Sequence, residues 1–153
     1  MKYLNSIKNL LSRPKREILL IPVSLYYLLL MKYQLKKYNF NYLVKKYNLE
    51  LLKEEITFND ENIKEVKTIG WAVERTSLVL PWEGLCLIKA LAAQRILIKY
   101  KLKGTIFMGV KKDSDKNKLE AHAWLKYNDI FLTGKAGHKD FTVVSKFTWN
   151  INE

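Results

Sequence analysis

An α+β fold, with helices first and an antiparallel sheet second, follows from three features of the sequence. Up to Gly104 the apolar residues recur at helical spacing, and after it they alternate with polar ones. A helix rich in Ala and Leu stands immediately before the change of period, as expected of an element buried against a sheet. The pair Asn128-Asp129 then splits two strand-like runs at the spacing of a two-residue hairpin turn.

Taken in order, residues 18–31 form an uncharged run between Lys15-Arg16 and Lys32. It is shorter than the roughly 20 apolar residues a membrane span requires, and Met31 leads into Lys-Tyr-Gln-Leu-Lys-Lys without a small-residue cleavage site. The run reads as a retained helix beginning after Pro14 or Pro22 and packed on the core, with docking to a partner or a membrane surface as the other use for it. Residues 33–53 suggest a second amphipathic helix or two short ones. Phe58-Asn-Asp-Glu is a helix start signal, and Ile63, Val66, Ile69 and Val73 supply the buried stripe of a helix that ends before Pro81. Cys86 to Tyr100, CLIKALAAQRILIKY, is the central helix, closed by Gly104.

The strands follow. Thr105–Val110 is the first, Lys111–Lys118 a polar turn, Leu119–Tyr127 the second strand, Ile130–Thr133 its hairpin partner, and Phe141–Trp149 the last. Residues 1–57 are thus expected as a basic helical region and residues 58–153 as the core that carries the chemistry.

Composition narrows the function. A single cysteine excludes an internal disulfide and a zinc site built from several thiolates, and no metal or other cofactor is expected; a reducing cytoplasm is the natural compartment. The formal net charge of +12 is uneven: residues 1–50 hold ten Lys/Arg against two acids, and the remainder seventeen against thirteen. This suits an anionic partner such as a nucleic acid, an anionic membrane surface or an acidic peptide, and equally a merely solvated lysine surface.

One pair of residues could carry a reaction. Alternation along Leu119–Tyr127 puts Glu120, His122, Trp124 and Lys126 on one face and Leu119, Ala121, Ala123, Leu125 and Tyr127 on the other. Cys86 begins the central helix just after Pro81-Trp-Glu-Gly-Leu85, where unpaired N–H groups and the helix dipole favour a thiolate. Each residue alone reads as structural, since free cysteines are usually buried and inert. A nucleophile at a helix start facing an imidazole on a rigid strand is what cysteine acyl transfer requires.

Arg75, Leu80-Pro-Trp82, Cys86-Leu-x-x-Ala-Leu-Ala92, Met108-Gly-Val110, Ala-His-Ala-Trp124 and Phe141-Thr-Val-Val together resemble the transglutaminase-like cysteine peptidases of lasso-peptide biosynthesis, in particular the stand-alone peptidase half of the split B protein. The resemblance runs from about residue 15 to the end. It implies a papain- or transglutaminase-like core with the nucleophile at the start of a helix packed on an antiparallel sheet. It also implies a leader peptidase with Cys86 as nucleophile and His122 as general base and acid. Trp82 is a candidate oxyanion donor through its indole N–H, or a packing residue. The implied partners are the precursor's leader, a winged-helix-like protein that grips it, and an ATP-dependent cyclase acting next. No nucleic acid is expected, and contact with a membrane surface stays open. A transglutaminase-like acyltransferase and a non-enzymatic basic binding module are the alternatives.

The third member departs from the pattern. That family often carries an aspartate twelve residues after the histidine, where this chain has Gly134. Counting from the Asn128-Asp129 turn independently brings residue 134 or 135 opposite His122, and neither is acidic. Asp129 is five or more steps away at ~3.3 Å each. Asp140 is reached only if residues 135–139 loop back. A Cys–His dyad, a dyad oriented by a backbone carbonyl, and a triad with an acid from elsewhere all remain open.

Overall fold

The computed structural model describes residues 8–151 except 10 and 116; residues 1–7 of the expected basic region and residue 116 of the expected turn lie outside the described residues. Helices α1 (Lys15–Lys37) and α2 (Phe40–Lys46) are followed by strand β1 (Leu49–Leu51), a 3-10 turn (Asp60–Asn62), α3 (Ile63–Ser77) and α4 (Cys86–Lys99). The chain continues through β2 (Thr105–Asp113), β3 (Lys118–Tyr127), β4 (Ile130–Thr133), a second 3-10 turn (His138–Asp140) and β5 (Thr142–Trp149). The strands form one antiparallel sheet in the order β1-β5-β2-β3-β4, so the fold is α+β.

Helix α1 runs unbroken through Pro22, which sits on an exposed side, where water can serve the carbonyl that a proline leaves without its partner. Its inner face buries Leu20, Ser24, Tyr27, Leu28, Met31 and Gln34 against α3 and α4. Leu19, Tyr26, Leu29 and Tyr33 remain exposed on the outside. At 23 residues and a mean hydropathy of 1.6 over its most apolar stretch, α1 is long and apolar enough to cross a membrane, although a third of that stretch is buried inside the protein.

Strand β1 corrects the helical reading of residues 33–53 only at its end, since helices cover residues up to Lys37 and Phe40–Lys46. Asn48 adopts a left-handed φ of 50°, turns the chain out of α2, and sets Leu49 opposite Trp149. A three-residue strand is too short to show a period, and its partner is distant in the sequence. The boundary expected after residue 57 therefore falls beyond a strand of the same sheet. Helices α1 and α2 contribute Leu28, Met31 and Leu43 to the cluster that also holds Val66, Leu91 and Leu125.

Two further boundaries differ from expectation. β2 extends to Asp113 because Lys111 pairs across the ladder with Glu120 at 3.0 Å, so charged residues continue the strand. Helix α4 ends before Gly104: Lys101 takes the left-handed conformation at φ 54° and the Leu102 N–H donates to Leu97 O at 2.9 Å.

The helical layer covers one face of the sheet through Ile106, Leu125, Tyr127, Leu132, Phe147 and Trp149. The opposite face is aromatic: Phe107 and Trp124 stack with centroids 5.7 Å apart, and Lys126 and Lys146 lie over the Phe107 ring. The sequence alternation thus separates a helix-covered face from the face that bears His122.

Candidate active site

Cys86 is the first residue of α4 and is half-buried. No side chain caps this helix start and no acidic residue lies in its first turn, so the leading N–H groups are available to an anion. Gly84, at φ 66°, turns the preceding loop into the helix. In that loop Trp82 is half-buried, with the Lys32 ammonium of α1 3.6 Å from its ring centroid. The N-terminal helix thereby holds the segment that presents the thiol.

His122 sits within β3 opposite Gly109, which is itself opposite Val143 of β5. Its ring packs beside Trp124, centroids 5.6 Å apart, and Phe141, 5.1 Å apart. Lys111 lies 4.9 Å from the Phe141 centroid, and its hydrogen bond to Glu120 holds the ammonium above its ordinary value. His122 Nε2 is 2.8 Å from the carbonyl oxygen of Gly134. A carbonyl only accepts, so Nε2 donates, and in the neutral imidazole Nδ1 is the nitrogen that bears the lone pair.

The residue that orients it is glycine by necessity. The β3–β4 ladder begins at the expected pair Tyr127–Ile130, then shifts register so that Leu125 opposes Thr133, and Gly134 follows that last pair beside Ala123 and Trp124, with its carbonyl turned to the imidazole. Gly134 has φ 72°, and a Cβ there would lie 2.5 Å from Ala123 O and 2.9 Å from Trp124 Cβ. No aspartate fits. Of the other acids considered, Asp129 is exposed and faces Lys126 at 3.9 Å. Asp140 ends an exposed 3-10 turn after a loop, and the His122 ring nitrogen bonds Gly134 instead. The second histidine, His138, donates from Nδ1 to Lys135 O at 2.6 Å and rests on Phe131, bracing that loop.

The sequence reading missed Glu74. Near the end of α3, its Oε1 accepts the Gly134 N–H at 2.9 Å and its Oε2 accepts from Lys89 Nζ at 2.8 Å. Lys89 lies three residues after Cys86, about one turn along the same side of α4. Gly70, one turn before Glu74, permits this reach: a Cβ there would lie 2.8 Å from Leu132 O, so only glycine lets α3 approach β4 so closely. Glu74, Lys89, His122, Thr133, Gly134 and Lys135 line one cleft. Helix α4 packs on β3 and β4, bringing the element that carries Cys86 to the strand that carries His122. No hydrogen bond among the described residues joins the two side chains.

A half-buried thiol at an uncapped helix start and an imidazole on a neighbouring strand are the two group types that acyl transfer through a thioester uses, although Cys86 is not among the residues lining the cleft that holds His122. Among the described residues no cluster of three or more His, Cys, Asp or Glu side chains could hold a metal ion. No curated protein and no solved structure matches the chain. A family model described as Transglutaminase-like superfamily matches residues 47–146, a span running from β1 into β5 and including Glu74, Cys86, His122 and Gly134, and the chain belongs to that superfamily.

Proposed function

We propose that this protein is a cysteine peptidase that removes the leader from a ribosomally made lasso-peptide precursor, working in the cytoplasm with a separate leader-binding protein. The motif resemblance supports the substrate class, and superfamily membership supports the thioester chemistry. The observation that carries the reading is the hydrogen bond from His122 Nε2 to Gly134 O, because it leaves Nδ1 as the proton acceptor.

In this mechanism Nδ1 takes the Cys86 proton and the sulfur forms a bond to the carbonyl carbon at the leader–core junction. N–H groups at the start of α4 stabilise the oxyanion, with the Trp82 indole as a second donor. The C–N bond breaks, and the core amine departs with the proton from Nδ1. Water, deprotonated at Nδ1, then cleaves the thioester to release the leader as a carboxylate and restore the thiol. An ATP-dependent cyclase consumes the freed core.

Incubating the chain with the partner and precursor is expected to give two fragments whose masses sum to precursor plus water. Cys86→Ala should reduce cleavage by on the order of 10³-fold or more. Undiminished cleavage by that variant would remove the proposal. A product lacking the added water and joined to an amine would identify an acyltransferase instead.

A further inference from the structure

Two catalytic groups on different elements must keep their relative placement, and the only hydrogen bond made by the His122 ring among the described residues goes to the main chain of Gly134. Glu74 contacts both supports. Its carboxylate receives the Gly134 N–H, while the left-handed φ of Gly134 turns the carbonyl of the same residue toward His122. Its other oxygen receives Lys89 on α4, one turn beyond Cys86. Both partners are half-buried, with 18% of the Lys89 side chain and 38% of the Glu74 side chain exposed, so the pair is partly screened by water and what matters is the geometry it fixes.

We propose that Glu74 is the positioning residue of the active site, tying the strand that orients His122 to the helix that carries Cys86 through Gly134 and Lys89. It supplies, one residue removed from the imidazole, the anchoring that an acid bonded directly to histidine gives elsewhere. This rests on the cysteine peptidase reading, because the positioning matters only if Cys86 and His122 react together.

The test uses the full chain, the leader-binding partner and the precursor peptide, together with NMR exchange of the two imidazole N–H protons. His138 is an internal reference, since its bonded proton is on Nδ1 and lies outside the Glu74 contacts. Glu74→Ala is expected to lower kcat roughly tenfold with KM unchanged, as misplacement of reacting groups does, and to speed exchange of the His122 Nε2 proton similarly. Glu74→Gln, which keeps an oxygen for the Gly134 N–H, should recover part of both. In both variants the His138 proton should be unchanged.

Wild-type kcat and wild-type His122 exchange in Glu74→Gln and Glu74→Ala, with Cys86→Ala inactive, would overturn the proposal while leaving the peptidase reading intact. If Glu74→Ala also loses the His138 signal it has unfolded, and the Gln variant decides. Cleavage that survives Cys86→Ala would sink the underlying reading instead.

Discussion

Replacing Gly134 by aspartate or alanine would press a Cβ against backbone atoms of Ala123 and Trp124 while holding an L-residue at positive φ. Either substitution is expected to destabilise the protein by about 2–4 kcal/mol in urea melts, and Gly134→Asp to gain no activity. The helix start at Cys86 and the face of the strand on which His122 lies were legible in the sequence because both signals are local. Position 134 was pointed to as well, by the spacing of the resembling family and by a hairpin count that reached 134 or 135. Its use was not, because the carbonyl that meets His122 is common to every residue type. Glu74 was hidden for a different reason: its partners lie 15 and 60 residues away, and in the sequence it is one more charged position on an amphipathic helix.

At the scale of elements, α1 and α2 are joined by the Tyr47 hydroxyl, which donates to Gln34 Oε1 inside the protein. Burial pushes the Tyr47 phenol above its ordinary value, and the Arg95 guanidinium, 4.4 Å from the ring, opposes that shift. Tyr47→Phe leaves the buried Gln34 amide without this donor and should cost about 1–3 kcal/mol in urea-derived stability. Adding Gln34→Leu should recover much of that loss, because an apolar pair has no orphaned oxygen; an unchanged deficit in the double variant would locate the cost in packing. Helix existence was readable from period and caps. The continuity of α1 through Pro22 was not, since it depends on which side of the helix faces water. Strand β1 and the register shifts in β2–β5 and β3–β4 escaped because pairing partners decide them.

Across the whole molecule, the helices-then-sheet order was readable because the hydrophobic period changes once, whereas the strand order was not, since β5 inserts between β1 and β2. The N-terminal helices and the sheet share one hydrophobic cluster. Unfolding is therefore expected as a single transition, with tryptophan fluorescence and far-UV circular dichroism giving the same urea midpoint. Trp71 reports on the helical layer, and Trp124 and Trp149 report on the sheet. Two separated transitions would mean that α1 and α2 melt apart from the rest.

The hydrogen bond from His122 to Gly134 also governs how such a site can be found and altered. An acceptor written in the main chain survives every side-chain scan that leaves the backbone in place, so alanine substitution can register it only as lost folding. Replacing the amide of Lys135 by an ester would weaken the Gly134 oxygen as an acceptor without changing a side chain, which makes backbone chemistry the direct probe. An acceptor of this kind depends on the path of the chain, and it leaves no acidic letter for a motif search to catch.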